Sequence, residues 1–303
     1  MNKYCLSCGK PLQEGEMDYH ASCRKRLSPF LEEGAFSEEW IDERIEKKET
    51  VPGVQKKMSV SFFPLGRRKK TLYPEEAIIK FPSLDFPYLT EMENLSMNLA
   101  DAYRIPTAEH ALIRKDGQYF YLTKRMDRDA GKRIPMEDFC QLSKRLTEDK
   151  YKGSYESFGD LLDHDSSRPL MDKAELLYRL LFCFLIGNND MHRKNFSLLY
   201  QEGEYRLSPA YDLLNVMLIY PKDPEEMALT VNGKKKNLHK KDFLSLAESL
   251  HLPQKVYFSF VRRLKDGMPQ AMELIQNSLL SEERKGSFLL MLQERIARLE
   301  GGQ

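Results

Sequence analysis

The feature of this chain that most constrains its fold is an almost wholly apolar segment that ends in a run of polar residues. Residues 176–186 read LLYRLLFCFLI, which is apolar on every face of a helix and therefore predicts a buried helix. Gly187 follows this segment, and glycine is favoured just past the end of a helix. We therefore expect the polar loop of residues 187–195 (GNNDMHRKN) to begin at a rigid anchor.

This polar loop carries Asp190 and Asn195 in the spacing D-x-x-x-x-N. Phosphoryl transfer needs a carboxylate that orients the attacking hydroxyl, and oxygen ligands for the magnesium ions that neutralise the triphosphate. A strand pair is predicted at 196–200 and 205–207, around a turn, and it would bring Asp212 back beside Asn195 as a second metal ligand. Taken alone, so short a pattern is more often a solvated turn, so its meaning depends on agreement with other segments.

Several segments, in order along the chain, resemble one kinase family. The pattern GNNDMHRKNFSLL at 187–199, followed by LSPAYDLL at 207–214, resembles the carboxy-terminal signature of HipA-family serine/threonine kinases, the toxin kinases of bacterial toxin–antitoxin systems. The resemblance extends over residues 49–300, and an ordered set of motifs is more specific than any one of them. The other matching segments are GVQKKMS at 53–59 (phosphate loop), IIKFP at 78–82 (nucleotide lysine), KRMDR at 124–128 (hinge), EDFCQL at 137–142 and VNGKK at 231–235.

The resemblance implies transfer of the γ-phosphate of ATP to a serine or threonine hydroxyl. Asp190 would orient the substrate hydroxyl or accept its proton, while Asn195 and Asp212 would hold magnesium. His192 and Lys194 would contact phosphate or brace Asp212. The candidate nucleotide-binding residues are Pro52, Gly53, Val54, Gln55, Lys56, Lys57, Lys80, Lys124, Met126, His192, Lys194, Asn195, Tyr211 and Asp212.

Two of these segments can also be interpreted from their residues alone. Pro52 and Gly53 open a turn ahead of a β-like run at 58–63, although the glycine-rich pattern G-x-G-x-x-G of protein kinases is absent. Lys80 ends an apolar, β-branched run, as a strand lysine that reaches the α- and β-phosphates would. A lysine at the end of a strand is more often simply solvated.

The small lobe is predicted to contain a helix at 89–103 and a strand at 119–124. Glu93 on this helix either pairs with Lys80, as in protein kinases, or is a solvated carboxylate like its neighbour Glu91. By resemblance, the backbone of Lys124 and Met126 after the strand would face adenine.

The amino terminus carries four potential metal ligands in two close pairs, Cys5-x2-Cys8 and His20-x2-Cys23. Thiolate and imidazole groups in this arrangement are the ligands of tetrahedral zinc, and four protein ligands would make the zinc structural rather than catalytic. One alternative is free thiols beside an incidental histidine. A disulfide is less favoured, because nothing in the sequence indicates secretion.

The resemblance implies an α+β fold with two lobes, similar to protein kinases, and the length of 303 residues is sufficient for it. We expect a zinc ribbon or knuckle at 1–28, a charged connection at 29–48, a small mixed amino-terminal lobe at 49–128 and a helical carboxy-terminal lobe at 129–303. The net charge of +1 indicates no strong field for nucleic acid or membranes. With no apolar run of about 20 residues and no signal segment, we expect a cytoplasmic protein without membrane contact.

The resemblance also implies partners and a means of self-regulation. HipA-type kinases phosphorylate aminoacyl-tRNA synthetases and are neutralised by a helix-turn-helix antitoxin, through which alone we expect a link to nucleic acid. This chain resembles the short kinases whose amino-terminal β domain is a separate small protein, so we expect such a partner. Family members inactivate themselves by phosphorylating a serine before the phosphate-loop glycine, and here Thr50 stands three residues before Gly53.

Two alternative functions remain open at this point. A phosphotransferase that acts on a small molecule or lipid would use the same catalytic residues. A non-catalytic zinc adaptor that only binds nucleotide is less favoured, because an inert scaffold has no physical need for Lys80, Asp190, Asn195 and Asp212 together.

Overall fold

The computed structural model describes residues 3–27, 55, 57–60, 76–129 and 132–302. Within these ranges the chain has a mixed α+β fold, in which a small antiparallel sheet with a covering helix precedes a mainly helical part. The predicted fold class is therefore confirmed. No helix among the described residues is long and apolar enough to cross a membrane.

The amino-terminal sheet has four antiparallel strands, namely β1 (Lys57–Val60), β2 (Ala77–Lys80), β3 (His110–Lys115) and β4 (Gln118–Lys124), in the order β1-β2-β4-β3. Strand β4 confirms the prediction for 119–124, whereas the strand predicted at 58–63 is described only as far as residue 60. Lys57 and Lys80 are directly opposite each other on neighbouring strands.

One helix covers this sheet, and it confirms the helix predicted at 89–103. Two helices matter for the site: the short helix α1 (Ala21–Leu27) near the amino terminus and the covering helix, α2 (Leu89–Ala102). Met92 and Leu99 of α2 have no exposed surface, as expected for the apolar face of a helix on a sheet. The polar residue Asn98 is also buried, so α2 is covered on its other side as well.

A long buried helix, α5 (Pro169–Ile186), forms the centre of the carboxy-terminal part. Its second half is the apolar segment that the sequence singled out, and the helix begins earlier because Pro169 suits the first turn. Gly187 ends it with a φ of +77°. A Cβ atom at this position would lie 2.6 Å from Met291 Sδ and 2.9 Å from Asn215 Oδ1, so only glycine fits.

The predicted strand pair after the polar loop is a hairpin that joins a second small sheet. Strand β8 (Ser197–Gln201) pairs with β9 (Glu204–Leu207) and with β7 (Met136–Asp138). Residues 202 and 203 make the turn with positive φ values, as in a two-residue type I′ turn, so it is shorter than expected. The other elements are β5 (Arg128–Asp129), β6 (Lys132–Arg133), α3 (Phe139–Leu142), α4 (Ser157–Asp165), α6 (Val216–Ile219), α7 (Lys240–Ser249), α8 (Gln254–Asp266), α9 (Met268–Gln276) and α10 (Glu282–Glu300).

Candidate active site

Three charged side chains from distant parts of the chain meet at the end of strand β2. The Lys80 ammonium donates hydrogen bonds to Glu93 Oε1 on helix α2, at 2.6 Å, and to Asp212 Oδ1, at 2.5 Å. Lys80 and Glu93 are both buried, whereas the side chain of Asp212 keeps 41% of its surface exposed. The expected pairing of Lys80 with Glu93 is present, and the solvated alternative for these two residues is wrong.

Because one ammonium serves two carboxylates, the pKa values of all three groups are shifted. Burial alone would lower the pKa of Lys80, but the charges of Asp212 and Glu93 outweigh it and hold this pKa above its usual value. Burial raises the pKa of Glu93 to about 7, although Lys80 opposes the shift. Burial also acts to raise the pKa of Asp212, but Lys80 overcomes it, so this pKa is lowered. Near neutral pH, Lys80 and Asp212 are therefore charged and Glu93 exchanges its proton.

Asp212 has an unusual backbone conformation, with a φ of +53°. This left-handed region is uncommon for a residue other than glycine, and such strain is concentrated at functional sites. The preceding residues are fixed, since Ala210 N donates to Pro106 O and Ala210 O accepts from Ala108 N. These bonds attach the Asp212 segment to the residues just before strand β3 and hold the carboxylate toward Lys80.

The polar loop after helix α5 presents Asp190 and Asn195 from a fixed backbone. Asn195 Nδ2 donates to Asp190 O at 2.9 Å, and Asp190 N donates to Asn188 Oδ1 at 3.2 Å. Since the two atoms of an amide point in opposite directions, the first bond turns Asn195 Oδ1 the other way. An amide oxygen and the Asp212 carboxylate are ligands that fit magnesium. Asp190 is partly exposed, and its Oδ1 accepts a 2.5 Å hydrogen bond from Tyr151 Oη.

The other predicted residues of the polar loop have different surroundings. His192 is buried, and its Nδ1 has no hydrogen-bond partner among the described residues. Burial lowers the pKa of His192, which favours a neutral imidazole. Lys194 Nζ donates to Asp138 Oδ2 at 2.9 Å, and Tyr211 Oη donates to Lys194 O at 2.9 Å. These two residues brace the loop here, and their direct contact with a nucleotide stays a prediction.

The predicted hinge connects the sheet to the helical part beside an open cavity of about 590 Å³. Lys124 N donates to Glu109 O at 2.8 Å and Arg125 N donates to Glu76 O at 2.7 Å, so strand pairing uses both amides. A hydrogen bond between adenine and the backbone of Lys124 would therefore be one that the carbonyl oxygen of Lys124 accepts, because its N–H is already used. Met126 lines the same cavity.

Most of the predicted phosphate loop lies outside the described residues, namely Pro52, Gly53, Val54 and Lys56 together with Thr50. Gln55 and Lys57 are described. Gln55 Nε2 donates to Phe81 O at 2.8 Å, one residue past Lys80. The charge of Lys57 also contributes to the lowered pKa of Asp212, which agrees with a position beside the charged cluster.

The four potential metal ligands of the amino terminus come together as a cluster. The ligand atoms of Cys5, Cys8, His20 and Cys23 all lie within 4.8 Å of one another. His20 Nδ1 is 3.4 Å from Cys8 Sγ and 4.0 Å from Cys23 Sγ, close to the spacing of about 3.6 Å expected between ligands of tetrahedral zinc. His20 Nε2 lies 2.8 Å from the carbonyl oxygen of Pro11, which suits a ring that donates from Nε2 and binds metal through Nδ1. None of the five cysteines is joined to another in a disulfide bond.

This cysteine module, residues 3–27, is attached to the edge of the four-stranded sheet. Leu112 N donates to Leu6 O at 2.8 Å, and Tyr19 Oη donates to Leu112 O at 2.5 Å. Gly9 lies between helices, because a Cβ there would be 3.2 Å from Leu274 of α9 and 3.4 Å from Asn98 of α2. The module therefore covers the outer side of the helix that carries Glu93.

Tyr151 and Asp138 contact the polar loop directly, and neither contact was predicted from the sequence. Tyr151 lies in an irregular segment outside every recognised motif. Asp138 belongs to a matching segment, and its role as the partner of Lys194 has no signal in the spacing. A search for tyrosine and acidic residues between predicted strands would have named both without ranking them.

Sequence comparison relates most of the chain to one family. The model of the HipA-like C-terminal domain matches residues 50–272. "Putative kinase Y4mE" of Sinorhizobium fredii is 36% identical over 174 residues, which cover 54% of this chain and 41% of that protein. "Putative kinase Y4dM" of the same organism is 33% identical over 202 residues, covering 61% and 48%. The chain thus spans about half the length of these curated relatives.

More distant relatives extend the comparison to solved structures. The serine/threonine-protein kinase toxin HipA of Shewanella oneidensis is 23% identical over 272 residues, or 79% of this chain and 60% of that one. A structure of the S. oneidensis HipA, HipB and operator DNA complex matches 88% of this chain and 72% of its own, with a TM-score of 0.72 and 21% identity. The Helicobacter pylori proinflammatory kinase CtkA matches 75% of this chain and 88% of its own, with a TM-score of 0.55 and 19% identity. With nearly three quarters of its length matched by the family model and a fold shared with these structures, the chain belongs to the HipA-like C-terminal domain family.

Proposed function

We propose that this protein is an ATP-dependent serine/threonine kinase. The observation that carries the proposal is the Lys80 ammonium held between Glu93 and Asp212, next to the loop that presents Asp190 and Asn195. A lysine fixed by an acidic residue of the covering helix, with two metal-binding side chains nearby, is the arrangement that phosphoryl transfer requires. The family relationship to proteins named as kinases supports the same activity.

Each residue of the site has a distinct task in this mechanism. Asp190 would orient the substrate hydroxyl and accept its proton as the new bond to phosphorus forms. Asn195 Oδ1 and the Asp212 carboxylate would hold magnesium, which neutralises the triphosphate when bound. Glu93 keeps Lys80 extended toward the phosphates. The hinge around Met126, with the phosphate loop that includes Gln55 and Lys57, would bind the rest of the nucleotide.

The family relationship also supports a biological role as the toxin of a toxin–antitoxin system. We propose that the kinase phosphorylates an aminoacyl-tRNA synthetase in the cytoplasm, where translation occurs, and so inhibits translation. A helix-turn-helix antitoxin would neutralise it, and the solved complex of the S. oneidensis toxin with HipB and operator DNA supports this kind of partner. A separate small β-domain protein would be a further partner, and phosphorylation of Thr50 would regulate the kinase.

For the amino terminus we propose a structural zinc ion. The chemistry and spacing of the three thiols and one imidazole support it, as does the contact of His20 with Pro11. We also propose four segments, with the zinc module at 1–28, a connection at 29–48, which lies outside the described residues, and kinase lobes at 49–128 and 129–303.

The proposed function is tested by transfer of label from γ-labelled ATP, with magnesium, into a lysate of the host. We expect label in a discrete protein band with the unmodified protein, and none with Asp190→Ala or Asp212→Ala. Asp160→Ala, which removes an exposed carboxylate from helix α4, is the matched control and should leave the band unchanged. Label found only in small molecules would instead support a metabolite or lipid phosphotransferase, and nucleotide binding without any transfer would support an adaptor.

A further inference from the structure

The carboxylate assigned as the catalytic base already holds a hydroxyl group of the chain itself. Tyr151 Oη lies 2.5 Å from Asp190 Oδ1, a length typical of a strong hydrogen bond between a hydroxyl and a charged carboxylate. A general base must form this same kind of bond with the hydroxyl that it deprotonates. The phenol therefore stands where an acceptor hydroxyl would be expected.

Contacts with neighbouring residues fix the position of Tyr151. Its ring packs edge-on against the His192 ring, with 4.9 Å between the centroids and 78° between the planes. The residues on either side are bound to Arg193, since Arg193 N donates to Lys150 O at 3.2 Å and Arg193 Nε donates to Lys152 O at 3.0 Å. The segment 150–152 is thus attached to the polar loop on both sides of Tyr151.

Gly153, the residue after this segment, leaves no space for a side chain between its backbone and Arg193. Gly153 has a φ of +102°, and a Cβ there would lie 2.6 Å from Arg193 Nη2. Arg193 itself is 1% exposed and donates to Ser157 Oγ at 2.8 Å, so it cannot move aside cheaply. The loop and the buried arginine form one unit, which carries the Tyr151 hydroxyl to Asp190.

The chemistry of Tyr151 suits an occupant that can be displaced. Burial, followed by the bond to Asp190, raises the pKa of its phenol, which therefore stays protonated and remains a donor. Tyr151 is nevertheless 43% exposed, so its outer face is open to an incoming molecule. Exchange of one hydroxyl for another at Asp190 conserves the number of hydrogen bonds.

We propose that the Tyr151 hydroxyl occupies the acceptor position of the site until a substrate hydroxyl displaces it, and that Tyr151 meanwhile keeps water from Asp190. This inference rests on the proposed kinase function. In productive transfer the substrate O–H proton passes to Asp190, the new O–P bond forms and ADP leaves. In the side reaction that Tyr151 suppresses, water is the acceptor, so ATP yields ADP and inorganic phosphate.

The test compares Tyr151→Phe, which keeps the ring against His192 and removes only the hydroxyl, with the unmodified protein. Tyr205→Phe is the matched control, because Tyr205 is 39% exposed on strand β9 and makes a comparable ring contact with Tyr200. Without substrate, we expect Tyr151→Phe to hydrolyse ATP about tenfold or more faster, the factor that corresponds to a lost hydrogen bond to a charged group. The increase should disappear in the double variant with Asp190→Asn.

A second readout does not depend on catalysis. Asp190 in the protein without nucleotide is labelled with a water-soluble carbodiimide and glycine ethyl ester and quantified by mass spectrometry. We expect labelling of Asp190 to be several-fold faster in Tyr151→Phe and unchanged in Tyr205→Phe. Equal labelling in all three proteins would overturn the proposal, whatever their activity. Faster labelling without any transfer or hydrolysis would retain the position of Tyr151 but refute the kinase function. Phosphate found on Tyr151 after incubation with ATP and magnesium would also support the proposal, since only a hydroxyl in the acceptor position can receive it.

Discussion

The replacement Glu93→Gln should remove a pH dependence that the shared lysine creates. Burial raises the pKa of Glu93 from 4.5 to about 7, a difference that corresponds to about 3 kcal/mol at 1.36 kcal/mol per pKa unit. The side chain of Glu93 is only 3% exposed, so solvent screens it little. Below pH 7 the carboxyl is increasingly neutral and holds Lys80 less firmly.

Because of this pKa, a rise in pH toward 7 should increase kcat/KM and decrease the free energy of unfolding. If the ionised form of Glu93 positions Lys80, then kcat/KM for ATP should fall as the pH drops below about 7 and level off about tenfold lower, because kcat/KM reports the free enzyme. The folded state binds a proton that the unfolded state releases between pH 4.5 and about 7. The contribution of Glu93 to the free energy of unfolding therefore decreases as the pH rises through this range, by about 3 kcal/mol in all.

The assay is the pH profile of kcat/KM for ATP, together with urea unfolding at pH 5 and pH 8. Glu93→Gln keeps the shape and a neutral hydrogen bond, so we expect a flat profile near pH 7 and a plateau about tenfold lower. The matched control is Glu91→Gln, because Glu91 lies two residues away on helix α2 and is hydrogen-bonded to Thr90 rather than to Lys80. This variant should keep the fall of kcat/KM below about pH 7. If kcat/KM of Glu93→Gln fell near pH 7 as it does in the unmodified protein, the reasoning would be refuted.

Three further predictions concern the module and the helices. Removal of metal by a chelator, or Cys23→Ser, should lower the melting temperature and raise amide hydrogen exchange in helix α2. The control is Cys183→Ser, in the buried helix α5, which should leave the metal content measured by mass spectrometry unchanged. Gly187→Ala should reduce the free energy of unfolding by about 1–3 kcal/mol in urea titrations, because its Cβ would strike Met291 and its φ is positive. Gly286→Ala, on an exposed turn of helix α10 with open space around it, should instead add about 0.5–1 kcal/mol, and a loss of stability would contradict the helix assignment there.

Local features of this fold could be predicted from the sequence because their causes are local. The buried helix that ends at Gly187 follows from a segment without a polar face, and the hairpin after it follows from two short apolar runs around a glycine turn. The Lys80–Glu93 pair could be proposed only because the family supplied both positions. From the residues alone, a solvated lysine was the better prediction.

Contacts between distant segments were not predictable in this way. Tyr151 meets Asp190 across 39 positions in the chain, from an irregular segment without periodicity. Leu6 pairs with Leu112 because β3 is an edge strand that needs covering, and no residue of the cysteine pattern reveals which edge it covers. The position of the cysteine module over helix α2 is therefore a property of the folded molecule.

The central claim is that magnesium and the triphosphate of ATP bind between Lys80 and the Asn195–Asp212 pair, with Asp190 acting only on the acceptor. Calorimetric titration with ATP, with and without magnesium, tests it most directly in the unmodified protein, Asp212→Asn and Asp190→Asn. We expect magnesium to increase the affinity of the unmodified protein and of Asp190→Asn by similar factors, and to have little effect on Asp212→Asn. Equal magnesium dependence in all three proteins, or no ATP binding by the unmodified protein, would contradict the account.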